Sequence, residues 1–152
     1  MAVEEGKKAP AFTLADEAGE KRALEDYAGK NVVLYFYPRD DTSGCTKQAC
    51  GFRDHLDEFL DLGYTVIGVS PDGIESHQRF RAKHDLNFRL LTDPDHEVAE
   101  AYGAWGLKKL YGREYEGVLR STFLIGPDGR IVKSYGKVKP AEHAQELLAD
   151  LA

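Results

Sequence analysis

Residues 31–70, NVVLYFYPRDDTSGCTKQACGFRDHLDEFLDLGYTVIGVS, contain the clearest structural pattern in the chain. Residues 31–37 and Tyr64–Ser70 are near-continuous runs of β-branched and aromatic residues, which is typical of strands buried on both faces. The segment between the two runs is long enough for a crossover helix. We therefore expect two parallel strands at the centre of a sheet, with a helix between them.

The segment between these strands has apolar residues at the spacing of a helix. They recur every three or four positions and are Cys45, Ala49, Phe52, Leu56 and Phe59. Because residues at this spacing share one helix face, that face must pack against the sheet. The helix is predicted to begin near Ser43 or Gly44, shortly after Pro38 ends the first strand.

The rest of the chain continues the alternation of strands and helices. Turn residues and apolar spacing predict a helix at Ile74–His84, a strand at 87–91, a helix at 95–102, strands at Ser121–Ile125 and Ile131–Tyr135, and a last helix opened by Pro140. The Gly-Pro-Asp-Gly turn favours an antiparallel hairpin of the last two strands. Residues 105–117 carry three glycines and are predicted to be irregular. This order favours the α/β class and a thioredoxin-like fold, with a central mixed β-sheet flanked by helices on both faces and an N-terminal extension.

Length and charge limit what the chain can be. Its 152 residues match one domain of ordinary size, so residues 1–152 are expected to form a single domain. Twenty Lys and Arg residues against 26 Asp and Glu residues give a net charge of −6, so a surface for nucleic acid or anionic lipid is not expected. No apolar run approaches the roughly 20 residues of a membrane span. Residues 1–8 lack the apolar core of a secretory signal, so we expect a cytoplasmic protein without membrane partners.

The first turn of the predicted helix holds Cys45 at the carboxyl edge of the sheet, where open α/β sheets place their sites. Free backbone N–H groups and the positive end of the helix dipole favour a thiolate over a thiol at such a position. Cys45 is therefore a candidate nucleophile. The alternative is that Cys45 and Cys50, the only two cysteines, are reduced and inert core thiols.

The spacing of the two cysteines restricts their chemistry. On an ideal helix, residues 45 and 50 are about 140° apart around the axis and their Cα atoms are about 8.6 Å apart. A disulfide tolerates a Cα separation of at most about 7 Å. The two thiols therefore cannot bond while the helix is intact, and a disulfide between them requires its first turns to unwind. Since Cys45 shares the apolar face of the helix, it is expected to be the pocket thiol, with Cys50 pointing away from it.

Other kinds of site fit the sequence less well. A thioredoxin-type dithiol has the spacing C-x-x-C, whereas this chain has C-x4-C, which weakens the hypothesis of a general disulfide exchanger. Two thiols and scattered histidines supply no second pair at zinc-ligand spacing, and no Gly-rich loop ends in G-K-[ST], so no metal or nucleotide cofactor is expected. His55 is too far along the helix for a dyad with the first cysteine. His77, His84, His96 and His143 are predicted to be surface or capping residues.

Several motifs together resemble one family. Pro38, Thr42 and Cys45 in PRDDTSGC match the P-x3-T-x2-C signature of the peroxiredoxins, and Arg120 before STFLI is similar to an arginine of that family. The second cysteine in CTKQACGFRD resembles the bacterioferritin comigratory protein or PrxQ subgroup. The tract AYGAWGLKKLYGREYEGVLRSTFLI also resembles that subgroup, so the match covers nearly the whole chain. Ser43 departs from the pattern because many members have Pro there; since Ser can cap a helix start, an intact site is expected.

The resemblance implies a thiol-dependent peroxidase that reduces hydrogen peroxide and organic hydroperoxides. Cys45 would be the peroxidatic residue, which attacks the peroxide and becomes a sulfenic acid, and Cys50 the resolving residue, which condenses with it in an intramolecular disulfide. Thr42 would hydrogen-bond the thiolate and the peroxide, and Arg120 would stabilise the thiolate and the developing oxyanion. Pro38 would shield the pocket from water.

The same resemblance implies partners. A thioredoxin-like or glutaredoxin-like donor would reduce the disulfide, and a monomer is expected because members of this subgroup are often monomers. Two other functions stay open: a non-peroxidatic thiol–disulfide oxidoreductase on the same fold, and a non-catalytic redox-switched binding module whose helix unwinding is the signal. The alternative for Arg120 is a surface ion pair with Glu114 or Glu116.

Overall fold

The computed structural model describes residues 3–151, and within them the chain forms nine strands, one short 3-10 helix and five α-helices. The strands are β1 (Thr13–Asp16), β2 (Lys21–Ala23), β3 (Asn31–Phe36), β4 (Tyr64–Ser70), β5 (Arg89–Thr92), β6 (Trp105–Leu110), β7 (Arg113–Val118), β8 (Ser121–Ile125) and β9 (Ile131–Tyr135). The 3-10 helix is Leu24–Tyr27, and the α-helices are α1 (Ser43–Asp54), α2 (Leu56–Asp61), α3 (Ile74–His84), α4 (Glu97–Ala101) and α5 (His143–Leu151).

Seven of these strands form one sheet in the order β2-β1-β5-β4-β3-β8-β9. The three central strands β3, β4 and β5 are parallel, as expected for strands joined by crossover helices, and the flanking pairs are antiparallel. Val33 of β3 is in register with Val66 of β4 on one side and with Leu124 of β8 on the other. The predicted central mixed sheet and the predicted β8–β9 hairpin are therefore confirmed.

The side chains of β3 alternate between two cores. Val33 and Tyr35 belong to the core that α1, α2, α3 and α5 cover. Val32 and Leu34 belong to the core on the opposite face, which α4 and the N-terminal segment cover. Because both faces are covered, the strand needs an apolar residue at nearly every position, which explains its continuous apolar run. Helices flank the sheet on both faces, as predicted.

The apolar stripe after β3 is buried as predicted, but it runs over two helices. α1 ends at Asp54 and α2 begins at Leu56, a break that the spacing did not predict. The Phe59 amide donates to the His55 carbonyl at 3.2 Å, so α2 continues the turn and the stripe stays on one side. At the other end of α1, Thr42 is the N-cap residue and Ser43 is the first helical residue, so Ser43 is not the cap.

The prediction for residues 105–117 is wrong, because these residues form most of the two-stranded hairpin β6–β7. Most side chains of β7 are exposed, so no apolar alternation marks it as a strand. The last helix begins at His143, three residues after the proline that was expected to open it, and the strand predicted at 87–91 is displaced to Arg89–Thr92. Among the helices within residues 3–151, none has the length and apolar character needed to cross a membrane.

Candidate active site

Cys45 lies in the first turn of α1, which follows the carboxyl end of the central strand β3. The Thr46 amide donates to the Thr42 carbonyl at 2.8 Å and begins the intrahelical ladder, so the Cys45 amide precedes that ladder. The Cys45 side chain is 1% exposed and belongs to the core beneath the helix. The positive end of the helix dipole favours negative charge on this sulfur.

Cys50 lies on the same helix but is only partly buried, and both cysteines are free thiols. Because α1 is helical from Ser43 to Asp54, ideal geometry places the two Cα atoms about 8.6 Å apart, more than the roughly 7 Å that a disulfide tolerates. The structure therefore combines an intact helix with a reduced pair of thiols.

Arg120 reaches Cys45 from the neighbouring strand. It directly precedes β8, which pairs with β3, so the sheet brings residue 120 close to the start of α1. Arg120 Nη2 donates to Cys45 Sγ at 3.3 Å, and Arg120 Nη1 donates to Gln48 Oε1 at 2.6 Å. A guanidinium that donates to the sulfur stabilises the thiolate form of the cysteine. Because the guanidinium is engaged in the site, the alternative of a surface ion pair with Glu114 or Glu116 is wrong.

Two residues that the sequence analysis did not single out shape this contact. Gln48 is buried one turn after Cys45 on the same helix face, and its side-chain oxygen holds the guanidinium of Arg120. A Cβ atom on Gly44 would lie 3.2 Å from Arg120 Nη2, so glycine leaves the space that the guanidinium occupies. The sequence feature that could have indicated this role of Gln48 is its position as a polar residue three positions after Cys45, the candidate nucleophile.

Thr42 and Pro38 belong to the loop between β3 and α1. The Thr42 hydroxyl donates to the Arg39 carbonyl at 2.8 Å and the residue is exposed, so the expected hydrogen bond to the thiolate is not the one it makes here. Pro38 is half-buried and lines an open cavity of about 470 Å³ together with Arg120 and Lys108. Burial and the neighbouring Arg120 cation lower the pKa of Lys108 below its usual value. The cavity is the open space next to Arg120.

The expectation that His77 and His143 lie on the surface is wrong. Both rings are buried, and each is hydrogen-bonded to a polar side chain from a distant part of the chain. His77 contacts Asp40, and His143 contacts Thr122. Burial lowers the pKa of His143 below the ordinary value for histidine. Over the part of the chain that the structure describes, no group of three or more His, Cys, Asp or Glu residues is arranged to hold a metal ion.

Comparison with known proteins gives one consistent result. The sequence profile of the AhpC/TSA family matches residues 5–134. The chain is 50% identical over 151 residues to peroxiredoxin Bcp of Bacillus subtilis, covering 99% of this chain and 96% of the relative. The structure of a cysteine-to-serine mutant of Xylella fastidiosa PrxQ matches with a TM-score of 0.93 and 35% identity, covering 99% and 96% of the two chains. A Xanthomonas campestris bacterioferritin comigratory protein, studied for its alkyl peroxide reduction activity, matches with a TM-score of 0.90 and 37% identity, covering 97% of each chain.

Proposed function

The chain belongs to the AhpC/TSA family and is a peroxiredoxin, and from this premise we propose that the Cys45 thiol reduces hydrogen peroxide and organic hydroperoxides. The observation that carries the proposal is the hydrogen bond from Arg120 Nη2 to Cys45 Sγ at 3.3 Å, made at the N-terminus of a helix. A cation and a helix N-terminus acting on one sulfur favour a nucleophilic thiolate.

In the first step the Cys45 thiolate attacks the terminal oxygen of the hydroperoxide. The sulfur–oxygen bond forms while the oxygen–oxygen bond breaks, so the sulfur is oxidised to a sulfenic acid and the peroxide is reduced. The departing alkoxide or hydroxide takes up a proton from solvent and leaves as alcohol or water. Negative charge moves from the sulfur to the departing oxygen during this step, and a fixed cation next to both atoms stabilises that charge.

The neighbours of Cys45 have separate tasks in this step. Arg120 supplies the cation, and Gln48 holds its second nitrogen so that the guanidinium keeps one orientation. The Thr42 hydroxyl, which donates to the backbone in this state, keeps lone pairs that can accept a hydrogen bond from the peroxide O–H group. Pro38 forms part of the cavity wall beside Arg120 and keeps water away from the reacting atoms.

Cys50 completes the cycle as the resolving residue. Its thiol attacks the sulfenic sulfur of Cys45, the sulfur–oxygen bond breaks, and water leaves as the disulfide forms. A donor with two thiols, of the thioredoxin or glutaredoxin kind, then reduces this disulfide and is itself oxidised. Because the helix holds the two Cα atoms about 8.6 Å apart, the first turns of α1 must unwind before the second thiol can reach the first.

Unwinding predicts a change in amide hydrogen exchange. We expect the amides of residues 42–56 to exchange faster in the disulfide form than in the reduced form, because the helical hydrogen bonds of α1 are broken. Gly51 lowers the cost of this opening, since glycine is less favourable than alanine inside a helix by about 1 kcal/mol. The measurement is exchange followed by mass spectrometry, with the Cys45–Cys50 bond confirmed on the same sample. The β8–β9 hairpin serves as the internal control, and equal protection of α1 in both forms would show that the helix does not unwind.

Replacing Cys50 with serine tests the division of roles between the two thiols. The reduced variant is expected to consume one peroxide per chain at the parental rate, because the attacking sulfur and its Arg120 contact are unchanged. Sulfenic acid should then accumulate on Cys45, since the thiol that resolves it is gone. A dimedone adduct located by mass spectrometry measures this product. A variant that consumes no peroxide, or an adduct at another residue, would contradict the proposed function.

A further inference from the structure

The loop that leads from β3 to Cys45 contains a buried carboxylate that the mechanism above does not use. Asp40 lies on this loop and is 8% exposed. Its Oδ1 accepts from the Tyr37 hydroxyl at 2.6 Å, and its Oδ2 accepts from the Ser76 hydroxyl at 2.8 Å and pairs with His77 Nδ1 at 2.7 Å. The side chain therefore joins the end of β3 to helix α3.

The ring of His77 makes two hydrogen bonds. Its Nε2 lies 3.0 Å from the Leu91 carbonyl oxygen, which can only accept, so Nε2 carries a hydrogen. Its Nδ1 lies 2.7 Å from Asp40 Oδ2, so the ring bridges the Asp40 side chain and the backbone of β5. The Tyr37 and Ser76 hydroxyls also donate to Asp40, so both of its side-chain oxygens have hydrogen-bond partners. The side chains of His77 and Asp40 are only 0% and 3% exposed, so the hydrogen bond between them is buried.

The backbone of Asp40 is fixed as well. Its amide donates to Asp72 Oδ2 at 2.7 Å, and the same oxygen accepts from the Ser70 hydroxyl at 2.9 Å. The neighbouring Asp41 also contacts α3, through Lys83 at 2.7 Å and His84 at 3.1 Å, but on the exposed side of the loop. The loop is thus held at residue 40 by a buried network and at residue 41 by a solvent-exposed ion pair, which contributes little.

We propose that Asp40, hydrogen-bonded to His77, is a positioning residue for peroxide reduction. The network fixes the loop that carries Pro38 and Thr42, and this loop ends at the helix turn that holds Cys45. Misplacing reacting groups by about 1 Å can cost about a hundredfold in rate, so a loop anchor acts on the reaction without touching the substrate. The inference rests on the proposed function, and its test separates the two.

Two substitutions of Asp40 distinguish positioning from a purely structural role. In Asp40→Asn, the amide oxygen still accepts from Tyr37, and the NH2 group donates to Ser76 and to Nδ1 of a neutral His77, which keeps its bond to Leu91. All contacts survive while the carboxyl group is replaced by a neutral amide. In Asp40→Ala, the anchor is lost. Asp41→Asn is the control, because it removes one charge from the same loop on its exposed side.

The rate constant of the first peroxide turnover is measured per folded molecule, well below the Tm of each variant. Asp40→Ala is expected to be slower than the parent by about tenfold or more, and Asp40→Asn and Asp41→Asn to stay within about threefold of the parent. An Asp40→Ala variant with a lowered Tm but the parental rate would show that the network only stabilises the fold. An Asp40→Asn variant as slow as Asp40→Ala would assign the effect to the carboxyl group itself and overturn the positioning role.

A second pair of variants applies if Asp40→Ala does not fold. In His77→Asn the amide nitrogen takes the place of Nδ1 and still donates to Asp40, whereas in His77→Gln it takes the place of Nε2 and donates to Leu91. Both variants lose the imidazole ring and one hydrogen bond, so they are compared by the contact that survives. Positioning through Asp40 predicts the slower first turnover for His77→Gln, and equal rates would overturn it.

Amide hydrogen exchange of residues 38–46 in the reduced protein measures how firmly the loop is held, in the absence of peroxide. Asp40→Ala, or His77→Gln in its place, should raise this exchange relative to the parent, and Asp40→Asn should not. Unchanged protection in the anchor variants would overturn the inference whatever the enzymatic result. A parent that consumes no peroxide would instead refute the proposed function, and the exchange result would still decide whether Asp40 anchors the loop.

Discussion

Replacing Cys45 with serine is expected to lower the rate of peroxide reduction by at least about a thousandfold, to the level of the uncatalysed reaction. Serine keeps the size of the side chain and can still accept a hydrogen bond from Arg120, so the fold and the pocket are retained. The hydroxyl is not ionised near neutral pH, and its oxygen cannot accept the peroxide oxygen as sulfur does. The measurement is loss of hydrogen peroxide in a single turnover of the reduced protein.

The matched control for this substitution is Cys50→Ser, which makes the same chemical change on the same helix at a partly exposed position. Because Cys50 acts after the peroxide is consumed, this control should keep the first turnover. The opposite pattern, with turnover surviving in Cys45→Ser and lost in Cys50→Ser, would reverse the roles of the two thiols. It would also show that a buried position at the helix N-terminus does not decide which thiol reacts.

Arg120→Met is expected to slow peroxide reduction by about a hundredfold to a thousandfold, the usual effect of removing one donor that stabilises charge in the transition state. The substitution removes the cation 3.3 Å from Cys45 Sγ and leaves Gln48 Oε1 without its donor. Methionine has a similar length and Arg120 is only half-buried, so the fold should remain intact. The second-order rate constant with hydrogen peroxide measures the effect, and Tm measured in parallel reports on the fold.

Arg113→Met provides the control for Arg120→Met, because it removes the same charge from an exposed position on β7. Its rate should equal that of the parent, which excludes an effect of net charge on the approach of substrate. If Arg120→Met also keeps the parental rate while Tm falls, Arg120 is a structural residue and its contact with the sulfur has no catalytic role.

The central part of the fold could be predicted from the sequence because its strands are buried on both faces. β4 and α3 have the predicted bounds, since a continuous β-branched run and a turn rich in Pro and Gly mark their ends. The β6–β7 hairpin could not be predicted in this way. Most β7 side chains are exposed, and the hairpin is held by pairing between its own strands, which leaves no apolar pattern in the sequence.

The position of the candidate nucleophile could be predicted from the sequence, but its supporting contacts could not. The position of Cys45 in the first helical turn is a local property, so the sequence indicated it correctly. The burial of Gln48 and His77 depends on partners far along the chain, Arg120 and Asp40, that spacing alone cannot bring together. Thr42 is the opposite case. The family motif predicted a hydrogen bond between its hydroxyl and the thiolate, but the hydroxyl donates to the nearby Arg39 carbonyl instead.

The most direct test of Cys45 as the peroxide-reducing residue is a single addition of hydrogen peroxide to the reduced wild-type protein, with dimedone present in a parallel sample. The peroxide consumed, the free thiols that remain and the modified peptides are then quantified per chain in the same preparation of protein. The expected result is one peroxide consumed and two thiols lost per chain, a Cys45–Cys50 disulfide, and a dimedone adduct on Cys45. Unconsumed peroxide with both thiols intact would contradict a peroxidase and would leave a disulfide exchanger or a binding module as the remaining functions. A dimedone adduct on Cys50 alone would show that Cys50, not Cys45, reacts with the peroxide.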